Sequence, residues 1–166
     1  MKFRKGTPDD LPRIMEICHI ARRFMRSTGN LTQWNSAYPS EEVILNDMAL
    51  GNNYVGEDET GEIIVTFAFI TGNDPTYDII SDGTWLSDRP YGTIHRMASS
   101  GKRGGMLREA VRFCLGMTDE IRLDTHKDNR PMQAAALRLG FIRCGVIICQ
   151  DGTPREAFHL VKQGNH

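Results

Sequence analysis

The segment from Thr93 to Phe141 constrains this chain more than any other. It reads as a strand, a glycine-rich turn, a helix, a second strand, and a second helix closed by Gly140-Phe141. The first strand, Thr93-Ile94-His95-Arg96-Met97-Ala98-Ser99, breaks into Ser100-Gly101-Lys102-Arg103-Gly104-Gly105, and a helix opens directly after. Such a turn presents backbone N–H groups that no helical carbonyl accepts, with the positive end of the helix dipole behind them. That is a site for a phosphate, and Lys102, Arg103 and Arg108 put cations beside it. The alternative for this basic cluster is a solvated helix start. Two other phosphate motifs are excluded. Lys102 is followed by Arg103 where a Walker loop needs Ser or Thr, and no Gly-x-Gly-x-x-Gly occurs.

The rest of the chain alternates strands and helices around this segment. Lys2–Gly6 is a candidate edge strand, and Thr7-Pro8-Asp9-Asp10 starts a helix with a Thr cap, an early Pro and acids in the first turn. Leu11, Ile14, Met15, Cys18, Ala21 and Met25 share one face of it, and Arg22 and Arg23 read as a solvated face. A loop over Leu31–Ala37 holds Gln33-Trp34, with Tyr38-Pro39 just after. Ser40-Glu41-Glu42 caps a second helix that ends at Gly51. Tyr54–Asp58 and Glu62–Ile70 form a hairpin about Glu59-Thr60-Gly61. Thr71–Tyr91 is a long irregular stretch, and loops of that length inside a compact domain are commonly functional.

After the strand at Thr93, the helix Gly104–Met117 buries Leu107, Ala110, Val111, Cys114 and Leu115. Glu120–His126 alternates as a strand, Asn129-Arg130-Pro131 opens a helix ended by Gly140, and Phe141–Cys149 and Arg155–Val161 are the last strands. The pattern is α/β (α+β) with a mixed sheet, in a single domain over residues 1–166. A net charge of −1 creates no global field favouring nucleic acid or an anionic membrane. No signal peptide or membrane-spanning apolar run is visible. Cys18, Cys114, Cys144 and Cys149 are scattered without a Cys-x-x-Cys pair, so they read as reduced thiols in a cytoplasmic protein.

Several stretches together resemble the GNAT superfamily of N-acetyltransferases. Lys102-Arg103-Gly104-Gly105-Met106-Leu107 is similar to its pyrophosphate loop, and Asn129-x-x-Met132 followed by Leu139-Gly140-Phe141 is similar to its C-terminal motif. Leu123-Asp124-Thr125-His126, Gln33-Trp34, Tyr38-Pro39, Trp85, Pro90–Arg96, Cys144-Gly145 and Asp151-Gly152…Arg155 resemble one small bacterial branch. The resemblance implies a mostly antiparallel central sheet flanked by helices, with a splayed central strand pair. It implies acetyl-CoA as acyl donor, no metal, and a primary amine of a small molecule or protein as acceptor; a homodimer stays open.

Carried over by position, Met97, Ala98 and Ser99 would offer backbone to the pantetheine arm, as an added strand does. Arg103, Gly104, Gly105, Met106, Leu107 and Arg108 would wrap the pyrophosphate. Asn129 would reach the pantetheine, or only cap its helix. Trp34, Tyr38 and Trp85 would wall the acceptor pocket, or only cover the core from outside. Two positions depart from the family pattern: Leu107 stands where it has glycine or alanine, and Ala136 stands where many members carry a tyrosine acid.

An alkyl amine must lose a proton before it attacks a thioester. His95 is the candidate base because histidine titrates near neutrality; the alternative is a strand histidine bonded to backbone. Strict alternation places His95 with Met97 and Ser99, and Arg96 with Ala98. Tyr91 is the candidate acid, or else a turn aromatic. The rival function is a non-catalytic acyl-CoA-binding or sensing module, which Leu107 and Ala136 favour.

Overall fold

In the computed structural model, which describes residues 1–164, the strands are β1 (Lys2–Lys5), β2 (Asn53–Glu57), β3 (Ile63–Thr71), β4 (Gly92–Ser99), β5 (Glu120–Thr125), β6 (Ile142–Ile148) and β7 (Pro154–Val161). They form one open sheet in the order β1-β2-β3-β4-β5-β7-β6. Neighbours run antiparallel except β4 and β5, which are parallel because a helical crossover joins them. The helices are α1 (Leu11–Ser27), α2 (Glu41–Ala49), α3 (Met106–Cys114) and α4 (Arg130–Arg138).

Local signals explain most helix ends. Pro8–Asp10 forms a 3₁₀ turn ahead of α1 rather than its first turn. There the Thr7 N–H donates to the Asp10 carboxylate at 2.8 Å, and Arg4 forks onto the same group at 2.7 and 2.9 Å. Those bonds, Arg4 first, pull the Asp10 pKa down to about 2. Ser40 Oγ accepts the Val43 N–H to start α2, and Asn129 Oδ1 accepts the Met132 N–H to start α4. The helix α3 is shorter than its sequence pattern at both ends. Gly105, at φ +77°, is its cap rather than part of its first turn, and Leu115–Met117 closes as a turn on Cys114.

The two sheet faces carry separate cores. Leu107, Ala110 and Val111 of α3 and Ala136 of α4 pack with Phe67, Ile94 and Ile121 on one face. Ile14, Ile17 and Cys18 of α1 and Ile44 of α2 pack with Val55 and Ala98 on the other.

Two irregularities in β4 prepare the site. Thr66 pairs with Ala98 and Ala68 pairs with His95, so Arg96 and Met97 together face Phe67. This is a β-bulge, and it corrects the alternation expected from sequence: Ile94 and Met97 both face α3, so His95 does not share a face with Met97, while Arg96 and Ala98 do lie together on the side of α1 and α2. Second, β4 and β5 pair only at Gly92–Ile121 and Thr93–Arg122, then separate. The central pair is therefore splayed. Among the described residues no helix is long and apolar enough to cross a membrane.

Candidate active site

A cleft of about 890 Å³ opens where β4 leaves β5. Its walls come from both strands, α2, the α1–α2 loop and the segment Asn73–Thr76. From Ile94 onward, the edge of β4 that faces β5 has no strand partner, which leaves polar backbone turned toward the cleft.

The bulge residue Arg96 sits at φ +51°, an uncommon conformation for a non-glycine residue. Its side chain accounts for it. The guanidinium forks onto the buried Asp47 carboxylate, Nε to Oδ2 at 2.7 Å and Nη2 to Oδ1 at 2.6 Å, and Nη1 donates to the Tyr38 hydroxyl at 3.3 Å. Burial disfavours charge on Arg96, but Asp47 and Tyr38 outweigh it, and its pKa is raised. The fork ties the bulge to α2 and aims Tyr38 into the cleft.

His95 precedes the bulge and also lines the cleft. Its Nε2 lies 2.9 Å from Asp74 Oδ2. Asp74 Oδ1 accepts the Thr76 N–H at 2.9 Å and the Thr76 hydroxyl at 2.7 Å. Burial opposes ionisation of Asp74, yet these bonds and His95 win, and its pKa falls to about 2. An ionised carboxylate only accepts, so we assign the ring proton to Nε2 and a lone pair to Nδ1. In the sequence Asp74 falls inside the long irregular stretch Thr71–Tyr91, and nothing there pairs it with His95.

Tyr91 does not line the cleft. Its hydroxyl oxygen accepts the Asp74 N–H at 2.8 Å, which places it behind the His95–Asp74 pair. Trp85 is also absent from the wall. Its Nε1 donates to the Tyr77 carbonyl at 2.9 Å, and the Arg122 guanidinium lies between the Trp85 and Tyr91 rings at 4.1 and 3.9 Å from their centroids. These aromatics brace the Asp74–Tyr77 turn from below. Tyr77 is itself buried and donates to Asp124 Oδ2 at 2.6 Å; burial first and Asp124 second push its pKa well above the ordinary value.

Trp34 and Tyr38 do line the cleft, with ring centroids 6.1 Å apart in an edge-on pair. Trp34 is also largely buried in the α1-side core, so it serves both ends. Arg22, read as solvated, instead donates to the Tyr38 carbonyl at 2.9 and 3.2 Å and holds this loop. Gln33 was visible only as part of the resemblance. Its Oε1 accepts from Asn30, Thr125, the His126 N–H and Asn129 at 3.0 to 3.3 Å, pinning the loop onto the end of β5. Asn129 therefore caps α4 with its oxygen and meets Gln33 with its nitrogen, from a position on the cleft wall.

The turn after β4 has the features a pyrophosphate needs. Ser99 and Ser100 Oγ accept the Gly101 and Lys102 N–H groups, whereas the N–H groups of residues 103–108 find no protein acceptor among the described residues. A Cβ at Gly104 would meet nothing within 4 Å, so the backbone there is open to a ligand. Leu107 points into the α3-side core and also touches the cleft, leaving its own N–H clear. Met106 is likewise buried, and Arg108 is exposed. The basic cluster is not simply solvated: Lys102 binds Asp58 at 2.9 Å and also Glu62, and Arg103 binds Glu59 at 3.0 Å. Met97 lines the cleft, while Ala98 and Ser99 continue β4 toward the turn. Open backbone at this turn and an unpaired strand edge fit coenzyme A.

The chain is similar along almost its whole length to an acetyltransferase of the GNAT family from Streptococcus agalactiae. The two share 31% identity with a TM-score of 0.88, over 98% of this chain and 96% of that one. A GNAT-family acetyltransferase from Listeria monocytogenes matches at 22% identity and TM-score 0.67, over 96% of this chain and 94% of its own. The ribosomal-protein-S18-alanine N-acetyltransferase of Escherichia coli matches at 14% identity and TM-score 0.62, over 99% of this chain and 96% of its own. The last two likenesses concern the fold alone. No family model matches the sequence, and no curated protein does either. At 31% identity over nearly the full length, with a TM-score of 0.88, this chain belongs to the GNAT family of acetyltransferases.

Proposed function

We propose that this protein is a cytoplasmic N-acetyltransferase that uses acetyl-CoA and acetylates a primary amine of a small molecule or a protein. The observation that carries this reading is the placement of the His95–Asp74 pair on the wall of the cleft opened by the splay. Acetyl-CoA would supply a thioester whose carbonyl carbon the amine nitrogen attacks, the C–S bond breaking as the thiolate leaves.

The chain's residues divide the remaining work. The N–H groups of residues 103–108 hold the pyrophosphate, and the unpaired edge of β4 holds the pantetheine arm and offers an N–H to the developing oxyanion. His95 Nδ1 takes the proton that the amine gives up, and Asp74 fixes the ring and stabilises the charge it gains. Trp34 and Tyr38 exclude water on the acceptor side. No side chain acts as acid at position 136, because Ala136 is fully buried and carries no titratable group. A thiol pKa of roughly 8.5 lets the thiolate leave unassisted.

Ala136 is also the observation that favours the second reading, an acyl-CoA-binding module without turnover. Release of free thiol from acetyl-CoA across a panel of amines tests the choice. Amine-dependent release supports the enzyme, and binding without release supports the module.

A further inference from the structure

We infer that the acceptor enters as a cation and that Asp124 is the residue that selects it. The inference rests on the acetyltransferase reading and deepens it by naming the acceptor's chemistry. Five carboxylates line the cleft: Glu42, Asp47, Asp74, Asp124 and Asp151. Three have cationic or ionisable partners. Asp47 is forked by Arg96, Asp74 is met by His95, and Asp151 lies 3.6 Å from Arg155. Glu42 is exposed on the first turn of α2, where water screens its charge.

Asp124 is different. It is half-buried on β5, two residues past Arg122, the last residue that pairs with β4, so it stands inside the splay. Its Oδ2 accepts the Tyr77 hydroxyl at 2.6 Å, and among the described residues no lysine, arginine or histidine bridges it. The same Tyr77 ring lies 6.3 Å from the His95 ring, centroid to centroid, so carboxylate and base are carried by one small cluster. A half-buried carboxylate gains from an opposite charge that brings its own hydrogen-bond donors. A primary ammonium does both. It would dock on Asp124, and the proton it must lose would pass to His95 before the nitrogen attacks. Amines that are already neutral at working pH forgo this contact. The acceptor class is therefore an alkyl amine of high basicity rather than an aromatic amine.

The experiment compares propylamine, a cation at pH 7.5, with aniline, neutral at that pH, in parent, Asp124→Asn and Tyr77→Phe proteins. Asp124→Asn keeps shape and removes charge. The ratio of kcat/KM for propylamine to that for aniline should fall about tenfold or more, through KM rather than kcat, since a charge-assisted hydrogen bond is lost. Tyr77→Phe removes the donor to Asp124 but keeps the carboxylate's charge, so the ratio should fall less than in Asp124→Asn. Propylammonium binding to the coenzyme A complex, followed by NMR titration, gives a second readout that needs no turnover. It should be weakened more in Asp124→Asn than in Tyr77→Phe, which keeps the charge. An unchanged ratio, with unchanged binding, overturns the inference while leaving acetyl transfer standing. Equal losses in both variants overturn it too, because Asp124 would then serve only to anchor Tyr77. Selective loss of binding in Asp124→Asn with no turnover in any protein supports the inference and defeats the acetyltransferase reading.

Discussion

His95 Nε2 lies 2.9 Å from Asp74 Oδ2, and that contact decides which ring nitrogen is free to take a proton. With Asp74 ionised, Nε2 is the donor and Nδ1 the acceptor. His95→Ala should lower kcat by about 10²-fold, the low end for losing a general base. Coenzyme A affinity should hold, because the contacts expected from β4 are made by backbone. Asp74→Asn is the sharper variant. With its amide oxygen kept by Thr76, the amide N–H faces Nε2 and drives the proton to Nδ1, where it blocks the base. Steady-state kinetics should show at least about a tenfold fall in kcat. Full activity in both variants would make the pair structural.

Much of this site could be read in the sequence and part of it could not, for identifiable reasons. The turn after β4 was legible because glycine, cations and a helix start are local signals. The bulge was not, because Arg96 adopts its left-handed backbone only under the pull of Asp47, a partner 49 residues away. Tyr91 and Trp85 read as site residues because they are aromatic and flank the key strand. Their ring faces instead enclose Arg122, a contact made across the sheet. Gln33 acts through four donors from three segments, which no spacing along the chain reveals.

The Arg96–Asp47 fork should matter to stability as well as to shape. Asp47→Ala leaves the half-buried guanidinium without its carboxylate and should cost about 3 kcal/mol in urea unfolding. Arg96→Gly removes the stranded charge and suits the left-handed backbone. Combined with Asp47→Ala it should recover part of that loss, so the two changes are not additive. Additive losses would mean that the fork does not hold the bulge.

Gly104→Ala is a clean probe of the phosphate turn. The position has no positive φ, and an added methyl meets no atom within 4 Å, so folding should be unaffected. The same methyl occupies the space a pyrophosphate needs. Each charge-assisted hydrogen bond lost would weaken coenzyme A binding by roughly 1.5–3 kcal/mol. Titration calorimetry checks this, and parent-like affinity would place the pyrophosphate elsewhere.

Stability should fall as the solution is acidified below neutrality. His159 is fully buried, accepts the Leu86 N–H at Nδ1 (3.1 Å) and meets Glu120 through Nε2 (2.8 Å). Burial first of all holds its pKa below the ordinary value, despite Glu120. The unfolded chain then binds a proton that the folded chain refuses, so this contribution is complete above about pH 6.5 and shrinks below it. Glu120 acts in the same direction at lower pH. Burial raises its pKa, but Ser87 and His159 lower it further, so its stabilisation is lost as the carboxylate protonates. Thermal melts from pH 8 to pH 5 should show a falling Tm, and His159→Gln should flatten the upper part of that fall. A Tm constant across the range would contradict this assignment.

The most direct test of the whole account is a crystal structure of the coenzyme A complex. It should show the pyrophosphate on the N–H groups of residues 103–108, the pantetheine arm along the free edge of β4, and the sulfur in the cleft beside His95. A pyrophosphate bound away from that turn, or an arm that does not enter the opening between β4 and β5, would contradict it.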